Sequence, residues 1–251
     1  MHPLALSAVV FALVIGSVFL GAWLRRMLPE HHLDKDAQDV VRLGVALIAT
    51  MAALVLSLLI AAANGSYGTQ SDQFRRITAD TILLDNLLAG YGQDGLAIRK
   101  SMRAAIGPFI DRLWQENKAA EQRPFAGNAA AEMIDLNIRA LSPQNELQHS
   151  LKDRALQVTA DIEQTRMLLF VESGNAIPMP FLAVLTIWLM IIFASYSLFA
   201  SLNTTTLTFL SLFALSAATA IFLILELSNP FTGLMMIPSA PLRDALAPLG
   251  I

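Results

Sequence analysis

Four stretches of this chain, residues 4–24, 40–63, 181–200 and 207–225, are apolar without the polar faces that an amphipathic surface helix would show. Arg42, near the start of the second, is the one charge inside them. Crossing a bilayer as a helix takes about 20 apolar residues, so each stretch predicts a membrane span. The first is read as a retained span and not as a cleaved leader. No basic segment precedes it, its apolar run is too long, and Arg25-Arg26 follow it.

Between the second and third spans the pattern turns amphipathic. Phe74, Ile77, Leu84 and Leu88 form one stripe, Ile98, Met102, Ile106 and Ile110 a second, and Ile134, Ile138 and Leu141 a short third. Leu147, Leu151, Ala155, Val158, Ile162 and Leu169 make the longest seam. Spacings of three, four and seven are helical, and no strand-like alternation occurs. The longest seam is read as bundle core or, alternatively, as a surface that also meets neighbouring subunits. Residues 64–68, Asn-Gly-Ser-Tyr-Gly, are read as interrupting or ending the helix of the second span. Pro108 is expected to kink its helix. Ser142-Pro143 reads as the N-cap and first-turn proline of the last one, and residues 115–128 read as a loop. The predicted fold is an all-α membrane protein. Two transmembrane helices (1–63) precede an extramembrane helical bundle (64–177), followed by two more transmembrane helices (178–228) and a tail (229–251) that packs on the bundle.

Composition agrees with that picture and removes several functions. The chain is 55% hydrophobic and 15% charged, with a formal net charge of −3. Nucleic-acid binding, which needs a basic surface, is not expected. Without cysteine there are no disulfides and no thiolate chemistry. The four histidines, His2, His31, His32 and His149, lack the i, i+4 spacing of a helical metal site, so neither a metal nor a cofactor is expected. No nucleophile elbow, P-loop or dinucleotide fingerprint is present, which argues against an enzyme.

Candidate positions remain in three places. In the second span Ala49, Ala53, Ser57 and Ala61 recur every four residues, and Ala46 and Thr50 widen the face. A small face lets helix backbones approach closely in lipid; alternatively it lines a narrow pore in an oligomer. Ser211, Ala214, Ala218 and Phe222 give a shorter version in the fourth span. His31 and His32 lie among Glu30, Asp34, Asp36 and Asp39, which suits a pH-responsive loop or simply a solvated one. Arg25, Arg26, Lys35 and Arg42 sit in or beside the first loop. By the positive-inside rule that loop is cytoplasmic, and the helical domain and both termini lie outside.

Three stretches resemble the bestrophin-like family of bacterial and plant membrane proteins: "AQDVVRLGVALIATMAALVLSLLIAAA", "QFRRITADTILLDNLLAGYG" and "LELSNPFTGLMMIPSAPLRDAL". The last is similar to the family's acidic-x-x-Pro-Phe-x-Gly ending at Glu226, Pro230, Phe231 and Gly233. Asn229 stands where the family commonly has an acid, which weighs against a carboxylate pair for ions there. The resemblance covers essentially the whole chain. It implies a multi-pass protein of the bacterial inner membrane that assembles with itself, as a tetramer or pentamer, into a channel for inorganic ions. The runner-up is a non-conducting scaffold or sensor whose helical domain binds a partner.

Glu226 occupies the last turn of the fourth span, where a carboxylate opposes the helix dipole by about 0.3–1 kcal/mol. Arg75 or Arg76 is the expected partner, with water at the interface as the alternative. On an unbroken helix Arg75 would stand about 18 Å beyond Ala63. A break at 64–68 is what would bring it closer.

Overall fold

The computed structural model describes residues 3–29, 35–115, 129–172, 179–200, 203–231, 233–238 and 240, the side chains of 105–115, 129, 130, 170 and 172 excepted. Among the described residues the chain forms seven helices and no strand. They are α1 (Pro3–Met27), α2 (Lys35–Tyr91), α3 (Gln93–Gln115), α4 (Ala129–Ala140), α5 (Glu146–Glu172), α6 (Met179–Phe199) and α7 (Thr204–Leu227). The helices α1, α2, α6 and α7 are each long and apolar enough to cross a membrane.

The expected break at 64–68 is absent, for α2 runs unbroken over 57 residues. A glycine inside a helix costs about 1 kcal/mol relative to alanine. Buried positions on either side of the pair, Ala63 and Gln70 at 0% exposure, tie the helix down where Gly65 and Gly68 loosen it. The actual stop is Gly92, whose φ of 108° is the left-handed conformation that ends helices. The chain then folds as two compact units, Met1–Tyr67 with Asn175–Ser228 and Gly68–Gly174 with Asn229–Ile251.

In the first unit α1 buries Ser7, Val10, Val14, Ser17, Val18 and Gly21, one helical face from end to end. Val45, Ala52 and Leu59 of α2, Leu185 and Ile192 of α6, and Ala214, Ile221 and Ile224 of α7 complete the core. A Cβ on Gly21 would overlap Ser197 Oγ and the Ala194 carbonyl of α6, so α1 and α6 meet through small residues. Hydroxyls in these helices bond their own backbone, as Ser17 does to Val14 O (2.7 Å) and Thr186 to Leu182 O (2.8 Å). That keeps polar groups satisfied where no water reaches. Ala214 lies in this core and Ala218 is buried as well, so these two small positions of the fourth span are packed within the unit.

In the second unit the predicted stripes meet in one core of Leu84, Leu88, Ile98, Met102, Ile134, Ile138, Leu141, Ala155 and Val158. Phe74 and Ile77 are buried as well. Leu147 departs from the expectation at 67% exposure, because it lies in the first turn of α5, before the seam reaches the core. The cap also differs. Asn145 Oδ1 accepts the Gln148 N–H (2.8 Å), so Asn145 is the N-cap of α5 and Ser142-Pro143 belong to the connection. Lys152 Nζ donates to the carbonyls of Arg139 (2.7 Å) and Leu141 (2.8 Å), which satisfies the C-terminal end of α4 with a cation. The backbone of α3 stays helical through Pro108. The side chains of Ile106 and Ile110, and the expected loop beyond Gln115, lie outside the described residues.

The fourth span stops where Asn229-Pro230 predicts. Ser228 donates both its backbone N–H (3.2 Å) and its hydroxyl (2.6 Å) to Ile224 O, so one residue closes the last turn. Beyond it Phe231 meets Phe74 edge-on at 6.5 Å, and Ile237 N–H donates to Pro230 O (2.7 Å). Gly233 supplies the left-handed turn between them at φ 92°. Ile237 is buried, whereas Leu234, Met235 and Met236 are exposed. Leu242 and Leu246 lie outside the described residues.

Candidate functional site

Residues 40–63 of α2 present three faces, set by a turn of about 100° per residue. Val45, Ala52, Leu59 and Ala63 face the core of their own unit, with Ile48, Ala49 and Val55 packed beside them. Val40, Leu43, Leu47, Leu54 and Leu58 form an exposed leucine-rich flank. Ala46, Thr50, Ala53, Ser57 and Ala61 form a second exposed flank of small residues, with exposed Arg42 at its start and exposed Ile60 along its edge. Of the six small positions picked from sequence, five therefore share this flank and Ala49 turns toward the core. Only 17% of the most apolar window of α2 is buried, against 28–33% in α1, α6 and α7. The Thr50 hydroxyl bonds Ala46 O (2.9 Å), which leaves its oxygen lone pairs outward.

The residues of the acidic-x-x-Pro-Phe-x-Gly ending divide between the units. Glu226 is 3% exposed within α7, so water at the interface is not its environment. Arg75 and Arg76 are largely exposed and lie 4.0 Å from Asp72 and 3.8 Å from Asp80 on their own helix. The break that would have carried Arg75 toward Glu226 does not exist. His31 and His32 lie outside the described residues.

Two acidic sites on α2 escaped the sequence reading. Asp85 has a fully buried side chain, and its oxygens accept Nε (2.8 Å) and an NH2 hydrogen (2.6 Å) from Arg99 of α3. This two-point bond holds the guanidinium charged despite burial. The signal was present, since Asp85 falls within a stripe of buried leucines and an acid there demands a partner. Asp80 lies five residues earlier on α2, about 140° around the helix from Asp85, and burial pushes its carboxyl above the ordinary range.

The fold and these faces define a polytopic, all-helical membrane protein. Its sequence matches the Bestrophin-like domain over residues 9–242, and the chain belongs to that family, as the resemblance implied. Its fold is similar to crystal structures of variants of a bacterial bestrophin homologue from Klebsiella pneumoniae. One has a TM-score of 0.63 at 15% identity, covering 95% of this chain and 99% of the other. A second has 0.63 at 14%, covering 95% and 97%, and a third 0.59 at 14%, covering 96% and 97%. Comparison with curated proteins finds no match.

Proposed function

We propose that this chain is the subunit of a homo-oligomeric ion channel in which α2 borders the central path. One observation carries the reading: the outward side of α2 splits into a leucine flank and a flank on which small residues recur from Ala46 to Ala61, with Arg42 at its start and Ile60 at its edge. Lipid alone asks for no such division, whereas a narrow path bordered by neighbouring copies does. Four spans from one chain leave no room for an aqueous path, so copies must surround an axis, as a tetramer or pentamer would. Alanines with the hydroxyls of Thr50 and Ser57 make a wall that does not hold an ion too tightly to release it. Membership of the bestrophin-like family supports the reading by analogy.

In this reading two spans precede the helical domain and two follow it, in a bacterial inner membrane, with inorganic ions as the cargo. Purified protein in planar bilayers tests it. Ala53→Leu and Ser57→Leu should lower unitary conductance while the oligomer stays intact. Unchanged conductance in both variants would take α2 out of the path, and loss of the oligomer would make the flank a packing surface. A wild-type protein that never conducts would leave the scaffold or sensor reading in its place.

A further inference from the structure

Asp80 stands beside the face of α2 that buries Ile77 and Leu84, and its side chain is partly buried at 21% exposure. Its Oδ2 is buried and accepts no hydrogen bond from any described residue. Arg76, one turn back on α2, holds Nε 3.8 Å away on a side chain 65% exposed, which is an ion pair but no hydrogen bond. From α5, Asp161 and Arg154 act on it, two turns apart on either side of the buried Val158. A buried carboxylate oxygen without a donor, near a second carboxylate, is costly while both are charged. A single proton relieves the cost: a protonated Asp80 gains an O–H to donate, and the repulsion with Asp161 ends.

We infer that Asp80, with Asp161 and Arg154 of α5 and Arg76 beside it, forms a proton-responsive contact that fastens α2 to α5 when the domain is acidified. The unbroken helix that carries Asp80 also carries the small flank, so the contact regulates the path; that last step alone rests on the channel reading. Burial is the main cause that raises the Asp80 carboxyl above its ordinary 3.8, and Asp161 adds to it, while Arg76 and Arg154 oppose. Below 3.8 the carboxyl is protonated in folded and unfolded chains alike, and the stabilisation is complete. As pH rises through the raised folded value the stabilisation is lost, because the unfolded chain gives up the proton more easily.

Infrared titration of the purified protein between about pH 4 and pH 8 tests this. Wild type should show a protonated-carboxyl band titrating above the ordinary carboxylate range, and Asp80→Asn should lack it. Asp161→Asn should shift that titration down, and Arg76→Gln should shift it up. Over the same interval the wild-type unfolding midpoint should fall relative to that of Asp80→Asn. In planar bilayers, wild-type conductance should follow the titration, and that of Asp80→Asn should ignore it. An Asp80→Asn protein with the wild-type band and midpoint profile would overturn the contact. Conductance indifferent to pH while the band titrates would overturn the regulatory link. A band that vanishes in Asp80→Asn, in a protein that never conducts, would sustain the contact and remove only the channel reading.

Discussion

Asp85 and Arg99 are the most demanding pair in the domain, because neither has anywhere else to put its charge. The carboxylate is fully buried and the guanidinium side chain is 15% exposed. Removing one partner strands the other, a loss of about 3–5 kcal/mol for a buried pair. Asp85→Ala and Arg99→Ala should each lower the denaturation midpoint sharply. Asp85→Leu combined with Arg99→Met should recover much of the loss, since apolar side chains of similar size need no partner. Strictly additive losses in the double variant would show that the pair is not coupled. Sequence placed Leu84 and Leu88 on a buried stripe and was right; it passed over Asp85 between them. The partner stands fourteen residues on, across the turn at Gly92, and nothing local to Asp85 identifies it. The misplaced N-cap has a similar cause, for Ser142 and Asn145 are both good caps by type and only the Gln148 N–H decides between them.

At the scale of whole helices, apolar length and periodicity read most of the described fold: four helices apolar enough to span a membrane, most of the domain stripes and the stop at Asn229-Pro230. It failed at 64–68, where two glycines and an asparagine look like a terminus. Propensity is local, and the buried residues on either side outweigh it. Gly21 shows the reverse case. It sits in an ordinary apolar run, yet it governs how near α1 and α6 can come, because Ser197 Oγ and the Ala194 carbonyl occupy the space a Cβ would need. Gly21→Ala should destabilise the protein in detergent by about 1–3 kcal/mol through overpacking. Gly16, on the same helix with nothing within 4 Å of a Cβ, is the control. Gly16→Ala should leave the unfolding midpoint unchanged or raise it, by up to about 1 kcal/mol in helix propensity. Equal effects at the two positions would mean that helix propensity and not contact sets them.

For the molecule as a whole, the question is which way the outward side of α2 faces once copies assemble. Ala53 and Leu54 are adjacent in sequence and both exposed in the single chain, but about 100° separates them around the helix. They fall on different flanks. The chain has no cysteine, so a single introduced thiol reports one position without background. If the small flank borders an aqueous path, Ala53→Cys ionises and reacts with a charged, water-soluble thiosulfonate, because the reactive species is the thiolate and water must reach it. The attached charge should then block conductance. Leu54→Cys, set against lipid or a neighbouring copy, should stay unmodified under the same conditions. Ser57→Cys, one turn further along the small flank, should behave as Ala53→Cys does. If Leu54→Cys is labelled while Ala53→Cys and Ser57→Cys are not, the leucine flank meets water, the small flank is where helices pack, and the assignment of the path to Ala46, Thr50, Ala53, Ser57 and Ala61 fails.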